Sequence, residues 1–457
     1  MGWSVDLDYE NLSSIIEISL KMLSKYPLCD HCLGRQFALL GFGMDNSDRG
    51  RAIKTALMMT AHKMALSKDR KVKSMGNSIL KILATHGAFE MASNLLRKMR
   101  RKVGEIKECF LCEGKFKNLQ PLIDKIFCML REYEYEDFLV GVKLPSNLEE
   151  REDEFRAEFG IQYGESIRSE FSRVIGKELA QKLGKAVNYM RPQMVILVNP
   201  FTENVELQVS SLFIAGRYRK LVRGIPQSKW ICRRCHGKGC ERCGWTGKMY
   251  QESVEELIAK PVLERTLGEE TSFHAAGRED RDARMLGRGR PFIIEVKRPK
   301  KRNIDLKDLE RAINEYAAGK VKVLNLRFAD KKMIRDLKSL EEAQKIYRVI
   351  VRFDREVTDE EISKLERELT NATIYQRTPI RVLHRRSDRV REKHIYEVKI
   401  KRLSKNTIKM RIRCQGGLYV KELVTGDRGR TNPSVSSIIN AKAEPLELDV
   451  LNVLTKE

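Results

Sequence analysis

Ala275-Ala276-Gly277-Arg278-Glu279-Asp280-Arg281-Asp282-Ala283-Arg284 is a charged run between two apolar ones, and the apolar ones decide how it is read. Pro291-Phe292-Ile293-Ile294-Glu295-Val296-Lys297 has the length and β-branched content of a strand, and a shorter strand is expected near 270–275. The charged residues then form a loop between strands. Around them the pattern alternates: helix 253–260, helix about 305–318, strand 320–329, helix near 331–343, strand 345–353. Thr358 with Glu361 three residues on is a capping box that opens another helix. Strands follow at about 373–385, 393–402 and 407–415, then a short helix from 419 and a final strand at 446–453. This order predicts an α+β domain on a mixed, mainly antiparallel sheet over 251–457.

Toward the N-terminus, apolar residues recur at helical spacing, as in Ile15-Ile16-Ile18-Leu20-Leu23 and Ile79-Leu80-Ile82-Leu83, so 10–100 reads as helical. Residues 145–185 read the same way. Met194–Val198 and Val205–Val209 then form a hairpin across Asn199-Pro200, followed by the basic Gly216-Arg217-Tyr218-Arg219-Lys220. The expected division is 1–225, a cysteine knuckle at 226–250, and 251–457.

Lys and Arg number 87 against 63 Asp and Glu, a formal net charge of +24 on 457 residues. Such an excess calls for a polyanionic partner, and nucleic acid fits best. With 42% hydrophobic residues the chain can build real cores, which excludes a disordered protein. No apolar run approaches the roughly 18 residues of a membrane span. Met1-Gly2-Trp3-Ser4-Val5-Asp6 has no leader pattern and lacks the Ser or Thr that myristoylation requires. A cytoplasmic protein without a membrane partner is expected, and a monomer.

In that setting the ten cysteines are metal ligands or core thiols. Eight form four Cys-x-x-Cys pairs: Cys29/Cys32, Cys109/Cys112, Cys232/Cys235 and Cys240/Cys243. Each pair puts two sulfurs on one ion, and two pairs fill a tetrahedral structural zinc site. Two zinc ions are expected, neither with a position open for catalysis. The segment 232–243 resembles half of the cysteine-rich module of J-domain chaperones. Cys128 and Cys414, alone among apolar neighbours, are expected in the core. No P-loop and no strand–GxGxxG–helix unit occurs, so no nucleotide or S-adenosyl cofactor is expected. From Arg377 to Arg413, 14 Lys or Arg stand against three acids, alternating with apolar residues as a basic ribbon for phosphates.

Gly277-Arg278-Glu279-Asp280-Arg281-Asp282-Ala283-Arg284-Met285-Leu286-Gly287, with Gly289-Arg290-Pro291-Phe292, resembles the catalytic motif of the tRNA pseudouridine synthase family often called Pus-ten. Archaeal members modify uridines 54 and 55 of the tRNA T-loop. Cys29-Asp30-His31-Cys32-Leu33-Gly34-Arg35, Gln376–Arg386 and Gly417-Leu418-Tyr419-Val420-Lys421-Glu422-Leu423-Val424 agree with the same family, and the hairpin with its Gly-Arg-Tyr-Arg tail resembles the end of a THUMP domain. The resemblance implies a zinc-stapled helical and THUMP-like RNA-binding region followed by a pseudouridine synthase domain, with tRNA as partner. It implies that Asp280 is the nucleophile (Asp282 stays the competitor), that Lys421 is the cation beside it, that Leu423 is an apolar floor, and that Tyr347 stacks on the target base and can handle the C5 proton. Arg278 is placed to fill the gap a flipped uridine leaves. The chemistry itself needs no organic cofactor. The competing readings are a methyl- or thio-transferring THUMP enzyme and a non-catalytic RNA adaptor.

Overall fold

A computed structural model describes residues 9–454, which fall into two units dividing between Val209 and Ser210. Met1–Asp6, read above for targeting signals, lies outside the described residues.

In the first unit the helical spacing becomes helices Tyr9–Lys25, Asn46–Ala65, Arg70–Thr85 and Glu90–Lys98. Met22, Leu80, Leu83 and Leu96 from their inner stripes are fully buried in one core. Two later helices, Ser146–Phe159 and Ile167–Leu183, each end at a glycine in the left-handed region, the conformation that terminates a helix at least cost. A four-stranded sheet completes the unit, in the order Ala186–Val187, Asp137–Val142, Met194–Asn199, Asn204–Val209. Strand Asp137–Val142 was not expected, although Phe138, Val140 and Val142 alternate into the core with the period of a strand.

The Cys29–Arg35 motif is an anchor within this unit. Its short helix Asp30–Gly34 lies so close to helix Asn46–Ala65 that a Cβ on Gly34 would sit 1.9 Å from the Asn46 carbonyl oxygen. Asp30 accepts from the buried Lys54 Nζ at 2.6 Å, and Lys54 also donates to the carbonyls of Leu28 and Gly87. Arg35, fully buried, pairs with buried Glu152.

The second unit is built on a ten-stranded sheet. Its order is Thr431–Asn432, Thr373–Arg377, Val390–Ser404, Thr407–Cys414, Lys345–Phe353, Ala443–Val453, Arg284–Lys297, Leu212–Lys220, Val321–Ala329, with Glu270–Ala275 also on Arg284–Lys297. All pairs are antiparallel except Ala443–Val453 with Arg284–Lys297. Helix Asp359–Leu369 packs one core and helices Val254–Thr266 and Leu306–Tyr316 the other. The expected capping box is present: Thr358 Oγ1 accepts from Glu361 N–H and Glu361 accepts from Thr358 N–H.

Three details differ from the expectation. Leu212–Lys220, placed with the N-terminal region, pairs with Arg284–Lys297 in the large sheet, so the division falls at 209/210 and not at 225. The strand expected over 373–385 stops at Arg377, and Ile380–Arg385 winds into a 3₁₀ turn, because Pro379 has no N–H for the ladder. Cys128 is exposed: helix Gln120–Leu130 buries Leu122, Ile123, Ile126 and Leu130 and turns Cys128 the other way, whereas Cys414 is buried as expected.

Removing one member of a buried ion pair strands the other, at a cost of about 3–5 kcal/mol. Arg156 also reaches Glu152, at 3.1 Å, so Arg35→Met alone should lower the unfolding free energy by less than that in urea titrations, and Arg35→Met with Arg156→Met by that order.

Candidate active site

The charged loop leaves strand Glu270–Ala275 and returns into Arg284–Lys297, over the one parallel pair of the sheet. It borders a cleft of about 570 Å³ whose lining contains nine Lys or Arg and three carboxylates. So cationic a cleft suits a polyanion.

Asp280 lines the cleft, one-third exposed, between two cations. Lys421 Nζ is 3.3 Å from its Oδ2 and Arg381 Nη1 is 3.2 Å from its Oδ1. Asp282 points outward, is more exposed and is no part of the lining. Lys421 donates to both its oxygens, at 2.7 and 2.6 Å. Burial raises the Asp282 carboxyl, but the hydrogen bond and charge of Lys421, with a backbone hydrogen bond and the Arg281 charge, together outweigh it and the net shift is downward.

Each cation is itself mounted. Helix Val420–Thr425 buries Val420, Glu422, Leu423 and Val424, which leaves Lys421 facing the loop. Its N-cap, Tyr419, is clamped by buried Gln376, which accepts from Tyr419 N–H at 2.8 Å and donates to its carbonyl at 3.0 Å. Arg381 comes from the 3₁₀ turn after Pro379; its Nε donates to buried Glu422 at 2.6 Å and its guanidinium lies over the Tyr419 ring.

From beneath, strand Leu212–Lys220 braces the loop. Tyr218 Oη donates to Glu279, whose carboxylate also pairs with Arg290 Nε at 2.9 Å; all three side chains are buried. The buried Lys220 Nζ donates to the carbonyls of Ile225, Asp280 and Arg281, each at 3.0 Å. Burial lowers its ammonium to about 8.

Tyr347, half-buried on strand Lys345–Phe353, also lines the cleft, and burial raises its phenol well above the ordinary value. Arg278 lies over the Trp230 ring, 5.1 Å from its centroid. Leu423 is fully buried in the core and does not reach the cleft; Leu418, Val420, Leu448 and Val450 supply the apolar lining instead. The structure thus brings together Asp280, Lys421, Tyr347 and Arg278, and leaves Leu423 behind them.

Strands Val390–Ser404 and Thr407–Cys414 bury Ile395, Val398, Ile408, Met410 and Ile412. In register on the other face stand Lys399 opposite Arg411, and Lys401 opposite Lys409. Like charges directly opposite destabilise a sheet, and a polyanion would relieve them.

The cysteines form two groups, each with four sulfurs within 4.8 Å of one another. Cys29 and Cys112 sulfurs are 3.6 Å apart, Cys232 and Cys240 3.9 Å, Cys235 and Cys243 3.8 Å. A tetrahedron with zinc–sulfur bonds of about 2.3 Å has edges of about 3.8 Å. Backbone N–H groups of Cys240 and Gly247 point at Cys243 Sγ, each at 3.2 Å, as they do at knuckle thiolates. Both groups fit a tetrahedral metal ion.

The family model "Pus10, C-terminal" matches residues 213–454, and "Pus10 THUMP domain, archaeal" matches 122–199. The tRNA pseudouridine synthase Pus10 of Methanocaldococcus jannaschii is 46% identical over 446 residues, covering 95% of this chain and 94% of that protein. The chain belongs to the Pus10 family. The tRNA pseudouridine synthase Pus10 of Methanothrix thermoacetophila is 41% identical, covering 96% of this chain and 95% of that one. Among solved structures, a Cbf5-Nop10-Gar1 complex aligns at TM-score 0.30 and 14% identity over 51% of this chain and 47% of that one, too slight a likeness to carry weight. Within the Pus10 C-terminal segment, the residues that sequence reasoning missed are Lys220, Tyr218, Gln376 and Arg381. The last two stand inside the Gln376–Arg386 motif, and Pro379 was the signal for the turn. No helix among the described residues is long and apolar enough to cross a membrane.

Lys220 is charged and buried for the sake of the loop, which gives a signed pH effect. The unfolded lysine binds its proton up to about 10.5, the folded one only to about 8, so its burial penalty fades and folding stability rises between those pH values. Lys220→Met should abolish that alkaline rise in chemical unfolding curves. It should also slow pseudouridine formation at least ten-fold, while tRNA affinity stays within a few-fold.

Proposed function

We propose that the chain isomerises uridine to pseudouridine in the T-loop of tRNA, at position 54, position 55 or both, with Asp280 as nucleophile and no organic cofactor. The observation that carries this reading is the Asp280 carboxylate held in a cationic cleft between Lys421 and Arg381. The reaction breaks the N1–C1′ bond, rotates the uracil, joins C5 to C1′, and moves the C5 proton to solvent while N1 gains one. Nothing is added or lost. A carboxylate that attacks the base or C1′ and later leaves can support this alone.

The surrounding groups take roles by position. Lys421 and Arg381 compensate the charge of Asp280, which the cleft draws partly out of water. Tyr347 stacks on the uracil; its raised phenol stays protonated in the neutral range, so it serves as a neutral surface and not as a phenolate. Leu418 and Val420 give the apolar floor first expected of Leu423. Arg278 fills the stack when the uridine flips out. The basic face of the long strands and the THUMP segment hold the rest of the tRNA. The two cysteine groups hold structural zinc, which supplies folding energy and no step of the reaction. The protein acts as a monomer in the cytoplasm.

Asp280→Ala should abolish pseudouridine in a tRNA transcript, mapped position by position, with tRNA affinity within a few-fold of wild type. Asp282→Ala should keep most of the activity. The opposite pattern would make Asp282 the nucleophile, and modification confined to other loops would overturn the T-loop assignment. Metal analysis should find two zinc ions per chain. Cys29, Cys32, Cys109 and Cys112 are all buried, whereas three ligands of the second group are partly exposed. A chelator should therefore release one equivalent quickly and the other only on unfolding.

A further inference from the structure

The knuckle 226–250, expected to be a divider, has a base and a tip that face different tasks. At the base, Trp230 and Tyr250 meet edge to face, with centroids 5.4 Å apart. Trp230 carries the Arg278 guanidinium, and Tyr250 carries that of Arg281, which also donates to its hydroxyl at 3.2 Å. The knuckle is therefore docked on the loop of Asp280.

At the tip, Arg233, Arg234, Lys238 and Arg242 are exposed, with Glu241 the one acid among them. Trp245 is 76% exposed and has a φ of +63°, a backbone conformation costly for a bulky residue. Its carbonyl packs on Gly239, where a Cβ would lie 2.8 Å away. A tryptophan held out of the core on a cysteine-stapled segment that also exposes four cations has the two elements by which proteins hold single-stranded nucleic acid: an aromatic surface for a base and charges for phosphates.

We propose that the knuckle is a single-stranded RNA-binding element in which Trp245 stacks on an unpaired base of the tRNA and Arg233, Arg234, Lys238 and Arg242 neutralise adjacent phosphates. The contacts of Trp230 and Tyr250 then fix this grip relative to Asp280. The inference rests on the reading of tRNA as substrate.

The test measures the Kd of the full-length, metal-loaded protein for a tRNA transcript across a range of salt. Trp245→Ala should weaken binding roughly ten-fold, and Trp245→Phe, which keeps a stacking ring, should stay near wild type. Arg233→Ala with Arg242→Ala should flatten the slope of log affinity against log salt by about 1 to 2. Unchanged metal content and melting temperature show the knuckle intact in each variant; where Trp245→Ala loses metal, the Phe and arginine variants decide. Wild-type affinity and salt slope in both the tryptophan and the arginine variants overturn the proposal, including the case in which the patch serves a protein. Because binding is read directly, a protein that binds tRNA through the knuckle but makes no pseudouridine sinks the proposed function and leaves this inference standing.

Discussion

A carboxylate drawn partly out of water costs free energy unless positive charge stands beside it on mounts that cannot drift. Asp280 meets this constraint from two sides, and the second unit is arranged around meeting it. Lys421 and Arg381 approach opposite oxygens, and each is held by something buried: Lys421 by its helix and the Gln376 clamp, Arg381 by Glu422. Both cations are restrained by partners, Arg381 by Glu422 and the Tyr419 ring although its side chain is 38% exposed. With Asp280 and Arg381 each about one-third exposed, solvent screens these pairs, so they fix the position of the carboxylate more than they stabilise the fold.

The loop's backbone is fixed as firmly as its side chains. Glu279, beside Asp280, is buried against Arg290 and Tyr218, so the carboxylate that stays inside and the one that faces the cleft are neighbours in sequence with opposite environments. Lys220 holds the carbonyls of Asp280 and Arg281 from below. The sheet makes these meetings possible: Tyr347 is opposite Val450, and Val450 is opposite Met285 across the parallel pair. The end of the loop and the tyrosine therefore share one row of the sheet, although 62 positions separate Met285 from Tyr347 in sequence.

What could be read in the sequence was local. The Thr358–Glu361 capping box, the alternating strands at 407–414 and the cysteine pairs each carry their signal within a few residues, and each is present in the structure. What was missed is long-range. Nothing near Tyr218 or Lys220 reveals that they lie under a loop 60 residues away, and as a basic run after a hairpin they resemble the end of a THUMP domain. The resemblance implies Leu423 as an apolar floor, but two positions after Lys421 on a helix a side chain turns to another face, and Leu423 lies in the core. Pro379 was legible, and heeding it would have ended the strand at Arg377 and put Arg381 on a turn. The knuckle's cysteines announced a metal site; the docking of its Trp230 and Tyr250 on Arg278 and Arg281 could not be seen from spacing.

Pseudouridine formation exchanges the C5 hydrogen of uridine for a glycosidic bond, and the proposed reaction does so without an added reagent. Release of tritium from a tRNA transcript labelled at C5 of uridine measures that event directly. In plain buffer, with no nucleotide, S-adenosyl donor or reductant, tritium should appear in water in proportion to the enzyme's turnover and stop at one or two equivalents per tRNA. No release, or release only when a cofactor is supplied, would contradict the assignment of this cleft as a pseudouridine-forming site.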